Sequence, residues 1–184
     1  MDILLKEQKV ILKQIYDTLM FAESKNALIV GLNGAIVFGV LNTFPIQLEP
    51  FCSLSKWSMW IISCSIISLL IALTSFLPKL SFDLPINFIF GNKIDRNILF
   101  FGWIGYLNPD EYLLELVKAL NVSHSSIELI HKNYAQQIVV NSRIALVKYK
   151  YFSTATWILL IGLFPPAIVI KVILVCISKW RSKK

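Results

Sequence analysis

Three stretches of this 184-residue chain, Asn26–Asn42, Met59–Leu77 and Thr154–Ile177, carry a single formal charge between them, on Lys171. A water-facing helix of such length needs a broad polar stripe, and none of the three has one. Surface helices of a soluble domain are thereby excluded. Each stretch is near the ~17–25 residues that cross a hydrocarbon layer about 30 Å thick. Cysteine is equally scarce: Cys52, Cys64 and Cys176 show no metal spacing, and three thiols cannot all pair. The chain has no Gly-rich phosphate loop, no G-x-S-x-G and no H-E-x-x-H. No enzyme is expected. The two histidines, His124 and His131, have only Glu128 nearby to complete a metal site, so surface positions are expected for both. Zinc spacing, RNP-type strands and dense basic helices are missing too, which argues against a nucleic-acid partner.

What remains is strongly apolar. A hydrophobic share of 56% and a mean hydropathy of +0.66 lie above the roughly 45–50% apolar content of soluble domains. The expected class is an all-α membrane protein whose partner is the lipid bilayer. The first apolar stretch follows about 25 residues of charge-bearing sequence, so it is expected to be an uncleaved anchor.

Residues 1–25 read as an amphipathic helix, with Leu4, Ile11, Ile15, Leu19 and Ala22 at helical spacing. No breaker separates it from the first stretch, so one helix is expected from about residue 3 to 42. Pro45 and Pro50 end it. Trp57 and Trp60 open the second stretch at an interface. Residues 26–78 are thus expected to be a transmembrane hairpin. Twelve of the eighteen basic residues lie in 1–26 and 78–150, against Glu49 and Lys56 in the connecting loop. That bias places the N-terminus and residues 79–150 in the cytoplasm of a multi-pass membrane protein.

Segment 151–184 combines the third stretch with a basic tail. Pro165–Pro166 divides it. A re-entrant turn would leave two halves too short to span, so a single kinked crossing is expected. In the insert 79–150, Ile86–Phe90 and Ile98–Tyr106 read as a small β-hairpin or an interfacial loop. Asn108-Pro109-Asp110-Glu111 then starts a helix that runs to about Leu120. A second helix, starting near Ser125–Ser126 with Glu128 placed for capping, continues as a stalk into the third stretch.

Polar residues inside the stretches are the first candidate site. Glu23, Asn26, Val30 and Asn33 fall within about 80° on one helix face. Ser58, Ser65, Ser68, Ala72 and Ser75 form a second narrow face. Such faces serve helix packing or line an oligomeric opening. Cations are the second candidate. Arg143 and Lys148 sit at the membrane end of the stalk, with Lys93 and Arg96 in the facing loop. They meet lipid headgroups or bind an anionic ligand, for which Arg offers a planar fork.

Several motifs together resemble a known family. They are Glu23-Ser-Lys-Asn-Ala-Leu with Gly-Leu-Asn33-Gly-Ala, then Pro78, Ile98-Leu-Phe-Phe-Gly-Trp and Asp110-Glu-Tyr-Leu. The strongest is Gln137-Ile-Val-Val-Asn-Ser-Arg-Ile-Ala-Leu-Val-Lys148-Tyr, leading into the third stretch. In order and spacing these resemble the transmembrane effectors of bacterial Pycsar anti-phage systems, over nearly the whole chain. The resemblance implies an abortive-infection effector that impairs the membrane when a partner cyclase makes a cyclic nucleotide, cyclic UMP or cyclic CMP. It implies no catalytic residues. The expected assembly is a homo-oligomer. A small ion channel gated by a partner protein, or a membrane assembly subunit, is the alternative.

Overall fold

The structure is a computed structural model, described here for residues 3–43, 53–77, 96–122, 127–165, 168 and 171. Of the described residues 86% are helical and none forms a strand, which makes the chain all-α. The helices are α1 (Ile3–Thr43), α2 (Ser53–Thr74), α3 (Phe101–Ile104), α4 (Pro109–Leu120) and α5 (Leu129–Leu163). Three of them, α1, α2 and α5, are long and apolar enough to cross a bilayer. The chain is a multi-pass membrane protein.

Buried positions on α1 recur at steps of three, four or seven: Leu4, Gln8, Ile11, Ile15, Ala22, Asn26, Ile29 and Asn33. On α5 the same steps connect His131, Ala135, Ile138, Ser142 and Ala145. Such spacing keeps one stripe of a straight helix turned inward over many turns. Small side chains on the α5 stripe let a neighbouring backbone approach closely.

Two compact units divide the chain, and both α1 and α5 contribute residues to each. The first unit comprises residues 1–24 and 77–150. Its core gathers Leu4, Ile11 and Ile15 of α1, Tyr112, Leu116 and Val117 of α4, and Ala135, Ile138 and Val139 of α5. Helix α4 is closed at both ends. The Asn108 N–H donates to Glu111 Oε2 at 3.1 Å, and Pro109 occupies the first turn, where a missing N–H costs nothing. Asn121 ends the helix at φ 52°. Its N–H reaches Lys118 O while that of Val122 reaches Val117 O, the paired bonds of a Schellman cap.

The start of α5 corrects two expectations. Residues 123–126 lie outside the described residues, as does His124; the helix begins at Leu129. Glu128 is its capping residue, and His131 takes the reciprocal role, its Nδ1 accepting the Glu128 N–H at 2.9 Å. His131 is buried, at 1% exposure, rather than on the surface. Its carbonyl accepts the Gln8 side-chain amide at 2.9 Å. Gln8–His131 near one end and Glu23–Lys148 near the other mean that α1 and α5 run parallel in this unit.

The aromatic run Ile98–Tyr106 also departs from the hairpin reading. Its backbone bonds are local: Phe100 N–H to Asn97 O, and Trp103 and Ile104 N–H to Phe100 O. With those groups spent, the run forms a turn and α3, not a strand. The other run, Ile86–Phe90, falls outside the described residues. Gly105 follows α3 because a Cβ there would meet Leu146 Cδ1 of α5 at 2.6 Å.

Tyr112 is fully buried, and its hydroxyl has no protein partner. Burial pushes the phenol well above its ordinary value, which is about 10. The folded chain therefore holds Tyr112 neutral while the unfolded chain would ionise it. Stability is complete below the ordinary phenol pKa and declines as pH rises past it. Tyr112→Phe should remove this alkaline loss. It should also leave stability at neutral pH unchanged or raised by up to about 1 kcal/mol, since an unpaired buried hydroxyl is lost. Thermal melts in detergent at pH 7 and at alkaline pH, comparing the two chains, measure both effects.

The second unit comprises residues 25–76 and 151–184. Ile29, Ala72, Ala155 and Leu159 form its apolar centre. Gly162 packs directly on Cys64, where a Cβ would come within 2.5 Å of the cysteine's own Cβ. Ser68 of α2 bonds Ala155, while Trp60 bonds Ile161, so α2 and α5 run antiparallel here. The choice between a crossing and a re-entrant turn depends on residues beyond Pro165, most of which lie outside the described residues.

Candidate functional site

Two groups of polar side chains stand out, one in each unit. In the first unit, Arg143 projects from α5 toward the turn after α3. Its Nε donates to Gly105 O at 2.9 Å and its Nη2 to Leu107 O at 2.8 Å. One planar fork thus holds two carbonyls that no helix satisfies. Phe101 stacks on Tyr149 of the same helix at 5.4 Å and 29°. The short α3 is therefore fixed to α5 by an arginine on one side and an aromatic pair on the other.

Five residues beyond Arg143, Lys148 Nζ meets Glu23 Oε1 at 2.6 Å. The lysine side chain is 14% exposed and the glutamate 39%. The contact joins α5 to α1. Partial exposure keeps such a pair modest in energy, near the ~1 kcal/mol of surface pairs. Arg96 lies over the Trp103 ring at 6.0 Å, and Lys93 falls outside the described residues. Of the cations expected as ligand contacts, Arg143 and Lys148 have protein partners and Arg96 sits on an indole. Burial also raises the phenols of Tyr106 and Tyr149, so this region presents neutral aromatic groups beside its cations.

In the second unit the polar residues of α1 and α2 turn inward. Asn26, Asn33, Ser65 and Ser68 have no exposed surface and Ser75 has 5%. Asn33 Nδ2 donates to Ile29 O at 2.8 Å and to Ser68 Oγ at 2.9 Å. Ser68 Oγ in turn donates to Ala155 O at 2.8 Å. The result is a knot joining α1, α2 and α5 through one amide and one hydroxyl. Asn33 and Ser68 are brought together as their facing patterns suggest; Glu23 belongs to the other unit and pairs with Lys148. At the edge of this unit Lys25 Nζ lies 5.4 Å from the Phe152 ring.

Sequence reasoning missed three of these roles. Gln8 occupies the apolar stripe of α1 at Leu4 plus four, which signals a buried amide with a partner. His131 likewise sits three residues past the capping residue, where a side-chain acceptor can close a capping box. The Arg143 clamp had no local signal, because its carbonyls lie 36 and 38 residues away.

The family model described as the Pycsar effector protein domain, PycTM, matches residues 7–175. No curated protein matches the chain, and no solved structure does.

Proposed function

The chain belongs to the Pycsar effector family, and we propose that it is the inner-membrane effector of an anti-phage system, activated by a cyclic nucleotide from its partner cyclase. Activation impairs the membrane and aborts the infection without catalytic chemistry of the effector's own. The N-terminus and the first unit lie in the cytoplasm, in keeping with the basic residues of 1–26 and 78–150. Activation involves a homo-oligomer. Membership in the family, together with three apolar helices, carries the reading.

The activator is cyclic UMP or cyclic CMP, read by its phosphate. Arg143 supports this assignment because a guanidinium has five N–H donors, and the two carbonyl bonds spend two of them. Lys148, 14% exposed and paired with Glu23, would exchange a carboxylate for a phosphate. Lys93 and Arg96 complete the set of contacts. The continuous helix α5, Leu129–Leu163, then carries the change toward the bilayer. A ligand moves such an equilibrium only by its differential affinity for the two states.

The test is membrane potential in cells carrying the effector with its cyclase, followed by a voltage-sensitive dye after phage challenge. Depolarisation before lysis, absent when the cyclase is inactivated, is the expected result. A potential held through infection overturns the reading.

A further inference from the structure

Hydroxyls and amides on α1, α2 and α5 fall into two groups by where they spend their bonds. Outward or half-exposed ones close onto their own helix. Ser63 Oγ donates to Met59 O at 2.8 Å, Thr156 Oγ1 to Phe152 O at 2.7 Å, and Thr43 Oγ1 to Gly39 O at 2.7 Å. Asn42 Nδ2 likewise reaches Phe38 O at 3.0 Å. Back-bonding of this kind hides a polar group from lipid.

The inward group leaves polar atoms unspent, although Asn33 Nδ2 also back-bonds to Ile29 O. Ser65 Oγ, Ser75 Oγ and Asn33 Oδ1 are buried and take no protein partner. Ser68 uses its hydroxyl across helices instead of along its own. A helix can satisfy a serine by back-bonding, as Ser63 demonstrates two residues before Ser65. Leaving such groups unspent costs free energy in an apolar surround. Tight packing alone would call for alanine at these positions, as at Ala72 on the same face.

The spacing is equally specific. Ser65 and Ser68 share one side of α2, and Ser75, in the turn just past its end, continues that side, about 15 Å in all at 1.5 Å per residue. Ser58, half-buried on the same side, lengthens the line to about 25 Å, against a hydrocarbon core of about 30 Å. Asn33 faces the middle of the line at Ser68. No member of this line carries a charge.

We propose that this seam, lined by Asn33, Ser65, Ser68 and Ser75 inside a single protomer, is the conducting path of the activated effector. The path admits water and small ions. It rests on the reading that activation depolarises the membrane, and it locates the leak within one chain. The Asn33–Ser68–Ala155 knot closes the seam at its middle. A shift of α5 that withdraws the Ala155 carbonyl frees the Ser68 hydroxyl, and the Asn33 amide follows it into water. Because its lining is neutral, the path discriminates weakly between cations and anions, and a fixed charge placed in it would change that.

The experiment uses the full chain in phage-challenged cells, with ion-selective electrodes for potassium and chloride beside the voltage dye. Ser65→Val with Ser75→Val should dry the seam and slow depolarisation about tenfold, as apolar constrictions do. The lipid-side control Ser63→Val should match the unaltered chain. Asn33→Asp should raise potassium efflux relative to chloride; Ser65→Asp provides the same reading if the Asn33→Asp chain fails to insert. An unchanged ion ratio in an inserted aspartate variant, or normal depolarisation by the double valine chain, overturns the seam and leaves the effector reading standing. No depolarisation by the unaltered chain overturns the effector reading itself.

Discussion

Two glycines inserted after Tyr149 should abolish depolarisation on phage challenge while expression and membrane insertion persist. Helix α5 runs from Leu129 to Leu163 without a break, and Tyr149 lies just before the residues that join the second unit. Two added residues rotate everything beyond them by about 200° at 100° per residue. Each glycine also costs roughly 1 kcal/mol of helix propensity, so the insertion loosens the rod as well as turning it. Arg143 and Lys148 lie before the insertion and keep their own partners, so the first unit remains intact. Ala155 would no longer sit under Ser68 in register. Deletion of the cyclase gives one baseline and the unaltered chain the other. Normal depolarisation by the inserted chain would mean that α5 does not carry the signal.

The long helices were legible because their causes are local. An unbroken run from Leu4 to Asn42, and a stalk with no breaker before Pro165, specify α1 and α5 by period and by the absence of proline or glycine at the junctions. The start of α4 was equally clear, since Asn108, Pro109 and Glu111 each favour the same boundary. The inward faces of α1 and α2 could be drawn from spacing alone. That Asn33 meets Ser68 could not, because the register of residues 35 positions apart on two helices depends on packing. The run Ile98–Tyr106 misled for a related reason. Aromatic and β-branched residues suit strands, but here they serve as a packing surface between the local turn and α5. Arg143 was noticed for its charge and for its place near the membrane. Its carbonyl partners, Gly105 and Leu107, are invisible to any window along the chain.

Arg143 therefore offers the sharpest separation of structural from ligand-binding roles. Arg143→Ala should destabilise the first unit by about 2–3 kcal/mol, because two carbonyls lose charged donors. Arg143→Lys should recover only part of that loss. An ammonium on a flexible stem can satisfy one carbonyl well but lacks the fixed fork that reaches both. The lysine chain keeps its positive charge, so attraction for a phosphate or a lipid headgroup survives. Thermal unfolding in detergent measures the clamp, and binding of cyclic UMP or cyclic CMP to the same purified chains measures the ligand role. If the alanine chain melts early and the lysine chain lies between, Arg143 holds the α3 turn against α5. If both melt like the unaltered chain, the clamp contributes nothing to stability. A lysine chain that melts low yet binds normally would assign the phosphate contact to charge rather than to the fork. One that binds poorly despite a restored melt would show that the fork itself reads the phosphate. The response to infection should follow the melt if the α3 turn must stay docked for α5 to move as a rod. It should follow the binding curve if the turn only brings the ligand to Arg143.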